Sequence, residues 1–150
     1  MPVVVTGADQ PLGRAVALEL AAMGGEVRAT VRTRAAVGAL RAAGIRVAVS
    51  DLSDPQRLGA VLEGAHTVLH LDRGPEGLDS PGDTWEWLLE AAEGTDVHRI
   101  VTVLPQAPSR ILVQGYELIV RQLPVEAADQ PGYPDRALVR ELVEADRRAE

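Results

Sequence analysis

Two glycines near the amino terminus have a spacing that suits phosphate binding. Gly7 directly follows the apolar, β-branched run Val3–Thr6, and Gly13 lies at the start of a helical pattern. A helix N-terminus presents unpaired N–H groups and the positive end of the helix dipole to an anion. Glycine at position 7 permits a tight turn, and glycine at position 13 lets the helix pack closely on the strand. The turn therefore predicts a phosphate-binding site.

Strands and helices alternate around and beyond this turn. Short β-branched runs predict the strands, and apolar residues at helical spacing predict the helices between them. The alternation continues from residue 3 to residue 104, which favours right-handed βαβ units. We therefore predict an α/β fold: a doubly wound, Rossmann-like, mostly parallel sheet with helices on both faces. The predicted strands are Val3–Thr6, Glu26–Val31, Ile45–Val49, His66–Leu71 and His98–Leu104.

Local signals also mark helix starts and the organisation of the chain. Asp54 is predicted to cap a helix that begins at Pro55, and Asp83 or Thr84 is predicted to cap a later one. We expect a single domain over residues 1–150, with a core in residues 1–104 and a shortened, divergent tail in residues 105–150.

The tail is harder to interpret from its pattern. Arg110–Leu123 fits a helix, and it equally fits strand material around a turn; we favour a strand over Tyr116–Arg121. Asp135–Arg148 carries an apolar stripe on one side and predicts an amphipathic helix.

The composition limits the partners that we expect. A net charge of −7 argues against a nucleic-acid groove, because phosphate backbones require a basic surface. No apolar run approaches the roughly 18 residues of a membrane span, and no signal peptide is apparent. We therefore expect a cytoplasmic protein with neither a nucleic acid nor a membrane as partner. The sequence contains no cysteine, which excludes disulfides and thiolate-ligated zinc.

The turn and the elements after it resemble a known superfamily. The stretch TGADQPLG (Thr6–Gly13) resembles the TGAxGxxG fingerprint of the short-chain dehydrogenases/reductases. Val31–Arg34, Val49–Leu71 and Trp87–Val103 follow in the order expected for its atypical NmrA-like and epimerase-like branches. The resemblance implies an NAD(P)-binding domain. The cofactor contacts that it implies are Gly7, Ala8, Gln10, Leu12, Gly13, Arg32, Asp51 and Leu52.

The cofactor preference depends on the end of the second strand. NAD sites usually have an acidic residue there for the ribose hydroxyls, whereas this chain has Arg32, with Arg34 nearby. We therefore expect NADPH to be preferred over NADH, the alternative being two solvated arginines. Asp51 is expected at the adenine amino group with Leu52 against the ring, unless Asp51 only opens a turn before Asp54.

The fingerprint departs from its pattern at one position. Gln10 stands where a middle glycine normally lets the backbone approach the pyrophosphate. A rotated turn or a water would still allow binding. The alternative is a turn that keeps the family shape without a ligand.

The usual catalytic groups of the superfamily are missing from this sequence. The resemblance implies a serine after the fifth strand and a Tyr-x-x-x-Lys pair, but Leu104 and Pro105 stand where that serine would be and the chain has no lysine. Tyr116 and Tyr133 are followed four residues later by Val120 and Ala137. If Tyr116–Pro124 matches the sixth strand of relatives, the helix with the catalytic tyrosine and the substrate region beyond it are absent.

We therefore assign no catalytic residue and no metal ligand. His66 and His70 lie four residues apart, and no third ligand has a suitable spacing. We predict a non-catalytic or regulatory NAD(P)-binding protein. The alternatives are a small NAD(P)H-dependent oxidoreductase and a protein-interaction module that has lost its ligand.

Two tryptophans suggest a protein contact. Trp85 and Trp87 lie on different faces of one predicted helix, which forms the dimer seam in related proteins, so we predict a homodimer through this helix. The alternative is that Trp87 is half-covered by the Asp72–Gly82 loop.

Overall fold

Six parallel strands form one sheet in the computed structural model, which describes residues 2–72, 82–104, 116–122 and 136–147. The strand order is β3-β2-β1-β4-β5-β6, and every neighbouring pair is parallel. The predicted fold class is confirmed. The strands are β1 (Val3–Thr6), β2 (Val27–Val31), β3 (Arg46–Val49), β4 (Thr67–His70), β5 (Arg99–Leu104) and β6 (Glu117–Gln122).

Helices connect the strands and cover both faces of the sheet. A short 3-10 turn at Arg34–Ala36 leads into the second helix, so the helix predicted there begins with a tighter turn. The helices are α1 (Pro11–Ala22), α2 (Val37–Ala42), α3 (Pro55–Leu62), α4 (Gly82–Ala92) and α5 (Arg136–Arg147). Within the described ranges, no helix has the length and apolar character needed to cross a membrane.

The core is divided by the sheet into two clusters. Successive strand residues face opposite sides, so Val3 and Val5 join one cluster while Val4 joins the other. The first cluster packs beneath α1, α2 and α5, and the second packs beneath α3 and α4. Continuous apolar runs such as Val3–Val5 are therefore needed, because both faces of each inner strand are buried.

Helix starts show where the local sequence signals succeeded and where they failed. The Asp54 carboxylate accepts from the backbone N–H groups of Gln56 (3.1 Å) and Arg57 (3.2 Å), so the predicted cap of α3 is confirmed. The cap predicted for α4 is wrong. That helix begins at Gly82, so Asp83 and Thr84 both lie inside its first turn.

The tail contributes to the same sheet. The strand favoured over Tyr116–Arg121 forms as β6, which pairs with β5 along its whole length. The helix predicted over Asp135–Arg148 forms as α5, and its Leu142 and Val143 are buried in the first cluster. Residues 105–115 and 123–135 lie outside the described ranges.

Trp85 and Trp87 are both half-buried on α4. Both side chains pack against the second cluster, and Trp85 also lies beside the His70 ring, with 5.8 Å between the ring centroids. The loop expected to cover Trp87 falls largely in residues 73–81, outside the described part of the chain.

Candidate functional site

The predicted site residues gather at the carboxyl edge of the sheet. In the sheet, β2 and β3 lie in turn on one side of β1, and the next strand of the chain, β4, lies on the other side of β1. The direction therefore reverses between β1 and β4, and parallel sheets bind ligands at the carboxyl end of such a switch point. The glycine turn follows β1, Arg32 follows β2, and Asp51 and Leu52 lie just beyond β3.

Both glycines of the turn are required by close backbone packing. Gly7 has φ +70°, and a Cβ placed there would lie 2.7 Å from the Cα of Asp72. A Cβ on Gly13 would lie 2.2 Å from the carbonyl oxygen of Gly7. The turn and α1 are thus pressed against each other and against the end of β4, which leaves the first helical turn beside the switch point.

The turn is held by three hydrogen bonds. Ala8 N–H donates to the Thr30 carbonyl (3.1 Å), and Gln10 N–H donates to the Gly7 carbonyl (3.0 Å). The Asp9 carboxylate accepts from the backbone N–H of Arg32 at 3.0 Å, which ties the turn to the end of β2. Two of these bonds hold the turn to β2 and its end, and the third closes the turn on itself.

The start of α1 keeps donors available for an anion. Gln10 is the N-cap residue, but its side chain makes no capping hydrogen bond, and Pro11 has no N–H to donate. Leu12 and Gly13 therefore carry first-turn amides without an intrahelical acceptor. Amide donors at a helix N-terminus beside closely packed glycines fit the phosphates of a dinucleotide.

An ion pair lies across this edge of the sheet. Nε of Arg32 donates to Oδ2 of Asp72 at 3.1 Å, and Nη2 donates to Oδ1 at 3.0 Å. The same Nη2 donates to the Asp51 carbonyl at 3.3 Å. The Asp72 side chain is 1% exposed and that of Arg32 is 17% exposed. The guanidinium thus fills the space between the segments that follow β3 and β4.

Asp51 and Leu52 have structural roles at this edge. One oxygen of the exposed Asp51 carboxylate accepts from the hydroxyl and the N–H of Ser53, and these hydrogen bonds lower the pKa of Asp51. Asp51 therefore opens a turn before Asp54, and its contact with an adenine amino group stays a prediction. Leu52 has φ +73° and a fully buried side chain in the second cluster, and Ala8 is also fully buried. Contacts of Ala8 and Leu52 with a cofactor stay predictions.

A buried polar chain joins β1, β4 and α4 beneath the turn. The Thr6 hydroxyl accepts from the N–H groups of Leu71 (3.0 Å) and Asp72 (3.2 Å), so its own proton faces Nδ1 of His70 at 2.8 Å. Nε2 of His70 lies 3.3 Å from the Thr84 hydroxyl. Burial lowers the pKa of His70 to about 4, against an opposing effect of Asp72. The ring is therefore neutral at pH 7, accepting from Thr6 and donating to Thr84.

The tyrosine that the structure describes lies far from the glycine turn along the strands. Tyr116 immediately precedes β6, whose first residue pairs with the first residue of β5, so Tyr116 lies at the amino edge of the sheet. Burial raises the pKa of its phenol, and Glu93 adds to the effect. A catalytic phenol needs a lowered pKa at the cofactor edge. Tyr133 lies outside the described ranges.

The histidines do not form a metal site. The rings of His66 and His98 lie with centroids 5.7 Å apart ahead of β4 and β5, whereas His70 is buried near the opposite end of β4. Among the residues with described positions, no three His, Asp or Glu side chains are grouped so as to hold a metal ion.

Two acidic residues of the site were not predicted from the sequence. Asp9 was treated only as part of the fingerprint, and Asp72 only as the start of a loop. A signal for Asp72 did exist, because it is the second residue after β4 and so lies beside the switch point. No local signal pairs it with Arg32, which lies 40 residues earlier.

The strand order and the glycine turn together define a dinucleotide-binding Rossmann domain. The chain belongs to the NAD(P)H-binding family, whose model matches residues 7–106. None of the curated proteins compared with this sequence matches it.

Solved structures confirm the resemblance to the atypical short-chain dehydrogenases/reductases. An NADPH-dependent quinone oxidoreductase from Escherichia coli is 27% identical with a TM-score of 0.52, over 67% of this chain and 34% of that one. Alfalfa vestitone reductase is 24% identical with a TM-score of 0.54, over 68% and 35% of the two chains. Yeast methylglyoxal/isovaleraldehyde reductase, solved with NADPH, is 18% identical with a TM-score of 0.56, over 69% and 37%. The last two similarities show the fold alone. The chain spans about a third of the length of each of these proteins.

Proposed function

We propose that this chain binds NADPH in preference to NADH and acts as a regulatory, non-catalytic protein. The observation that carries the second part is the position of Tyr116. Its phenol lies at the amino edge of the sheet, the edge opposite the glycine turn, and has a raised pKa. The sequence also has no lysine that would lower a tyrosine pKa or hold a nicotinamide ribose. Binding without turnover is the function that these residues support best.

The proposed cofactor contacts follow from the geometry of the carboxyl edge. The amides of Leu12 and Gly13 at the start of α1 are proposed to bind the pyrophosphate, and Arg32 is proposed to supply a positive charge at the end of β2. Support for NADPH also comes from the similar E. coli quinone oxidoreductase, which was solved in complex with NADPH and is 26% identical to this chain. When bound, NADPH would supply a hydride, and the Tyr116 phenol, at the opposite edge of the sheet, is not placed to supply the accompanying proton.

A thermal-shift titration tests the binding proposal. At about 100 times its Kd, NADPH should stabilise the fold by about 2.7 kcal/mol and raise Tm by about 5–10 °C. NADH should give a smaller shift at the same concentration. Arg32→Glu should reduce the NADPH shift, whereas Arg46→Glu is a matched control, since Arg46 is exposed at the amino end of β3. Equal shifts in both variants would place the 2′-phosphate elsewhere.

The oxidoreductase alternative has one specific observation in its favour. The E. coli relative described as an NADPH-dependent quinone oxidoreductase is 27% identical over two thirds of this chain. We therefore expect a direct assay to separate the two functions. With a saturating quinone or flavin acceptor, NADPH absorbance at 340 nm should decay at the buffer rate. Decay proportional to protein concentration would replace the regulatory proposal with the enzymatic one.

Two further hypotheses concern protein partners: a homodimer formed through α4, and a protein-interaction module that has lost its ligand. Trp85 and Trp87 are half-buried, so each leaves part of its ring for a partner. Light scattering should report twice the monomer mass of 16.0 kDa, and Trp87→Ala should lower it. A monomer at all concentrations would contradict the homodimer hypothesis. If neither NADPH nor NADH binds, the protein-interaction module is the hypothesis that stands.

A further inference from the structure

The pairing of Arg32 with Asp72 suggests how the site distinguishes nucleotides. Arginine recognises a phosphate best through two N–H groups on one edge of the guanidinium. Here the edge formed by Nε and Nη2 is used by the two oxygens of Asp72. Nη2 is shared further with the Asp51 carbonyl at 3.3 Å. Both donors of this edge of Arg32 thus have acceptors within the chain.

The charge of the guanidinium is also offset within the site. Asp72 is 1% exposed, so water screens its carboxylate little, and Asp51 adds a second carboxylate close to Arg32. A nucleotide 2′-phosphate that approaches Arg32 therefore meets a pair with no net charge rather than an isolated cation. To use the edge formed by Nε and Nη2, the phosphate has to replace the Asp72 carboxylate.

We propose that Asp72 is a specificity-determining residue that competes with the 2′-phosphate of NADPH for Arg32. This inference rests on the proposed function. NADH carries no 2′-phosphate, so it leaves the ion pair intact. When NADPH binds, its 2′-phosphate replaces the Asp72 carboxylate as the anionic partner of Arg32. The preference of the site for NADPH is accordingly weakened by Asp72, and it strengthens when the charge of Asp72 is removed.

Removing the charge while keeping the shape gives the direct test. Asp72→Asn retains an oxygen that accepts from Arg32, so the fold should persist. By calorimetry, the ratio of NADPH affinity to NADH affinity should rise about tenfold. The ratio cancels effects common to both nucleotides, such as repulsion between Asp72 and the pyrophosphate or a change in stability.

Three further variants test whether the effect depends on the charge of Asp72, on its partner Arg32 and on its position in the site. Asp72→Glu keeps the carboxylate and should keep a ratio close to the wild-type value. Arg32→Gln combined with Asp72→Asn removes both partners and should bring the ratio near one. Asp96→Asn makes the same change in net charge at an exposed residue ahead of β5, at the opposite edge, and should leave the ratio unchanged.

The wild-type protein provides a second readout that needs no substitution. The Nε–H resonance of Arg32 should shift when NADPH is added and stay in place when NADH is added, because only NADPH displaces Asp72. A ratio that is unchanged or lowered in Asp72→Asn, with binding retained, would overturn this inference and leave the proposed function standing. Absence of binding of either nucleotide to wild type and to Asp72→Asn would overturn both.

Discussion

At the scale of single residues, the interior of the site is organised by a neutral histidine. His70 is fully buried between the hydroxyls of Thr6 and Thr84, and burial lowers the pKa of its ring to about 4. Thr6 in turn fixes the first residues after β4, including Asp72. Protonation of His70 would place a charge in the core, and Nδ1 could no longer accept the hydrogen bond from Thr6. The chain is therefore built for a neutral ring.

This arrangement predicts a defined dependence of stability on pH. The His70 ring binds a proton near pH 6.5 in the unfolded state and only near pH 4 in the folded state. The contribution of the neutral ring to the free energy of unfolding is therefore complete above pH 6.5 and is lost as the pH falls towards 4. The loss should approach about 3 kcal/mol. Urea unfolding of wild type and His70→Gln at several pH values measures it, with exposed His98→Gln as the control. Parallel pH profiles for wild type and His70→Gln would refute the assignment.

We predict that the Cβ of Gln10 limits how closely a pyrophosphate approaches the turn. Its side chain does not cap α1, and its φ of −94° is accessible to any residue. Gln10→Gly should therefore keep the fold and raise NADPH affinity about fivefold, because the backbone becomes approachable. Gln10→Ala keeps the Cβ and should bind like wild type. If both variants match wild type in calorimetry, the Cβ at position 10 does not obstruct the ligand.

At the scale of elements, the close contact of α1 with the glycine turn shapes the site. Gly13 brings the helix within van der Waals distance of Gly7, so the first-turn amides lie next to the end of β1. The same glycine therefore serves both packing and the predicted phosphate contact. The distances show the packing role of Gly13, and its phosphate contact stays a prediction.

Substitution of two helical glycines tests this packing. Gly13→Ala should lower the free energy of unfolding by about 3 kcal/mol, because its Cβ meets the Gly7 carbonyl. Gly38→Ala in α2 is the matched control, since nothing lies within 4 Å of its Cβ position. It should raise stability by about 0.5–1 kcal/mol through helix propensity. Equal unfolding free energies for the two variants would contradict the described contact.

Local elements were predictable from sequence, but their long-range contacts were not. Apolar runs, the Asp54 cap and helical spacing act over a few residues, so strands, α3 and even β6 could be assigned. The Arg32–Asp72 pair and the burial of Leu52 arise from segments that meet only in the folded chain. The predicted start of α4 was wrong because the helix begins earlier, at Gly82, and the contact of the Thr84 hydroxyl with His70 is a long-range one that no local pattern indicates.

At the scale of the whole molecule, the sheet separates two edges with different properties. The carboxyl edge gathers the glycine turn, Arg32 and Asp72, while the amino edge holds Tyr116 and the His66–His98 pair. The tail adds β6 to the sheet and places α5 against α1. These contacts support our proposal that residues 1–150 act as one domain, which a single cooperative unfolding transition would bear out.

The most direct measurement of the central claim is an NADPH titration of the ¹⁵N-labelled chain followed by amide chemical shifts. At 16.0 kDa the protein is well suited to this experiment. We predict saturable shifts that are largest at Gly7, Leu12, Gly13 and Arg32 and small at Tyr116 and His98. An unchanged spectrum, or shifts concentrated at the amino edge of the sheet, would contradict a dinucleotide site at the glycine turn.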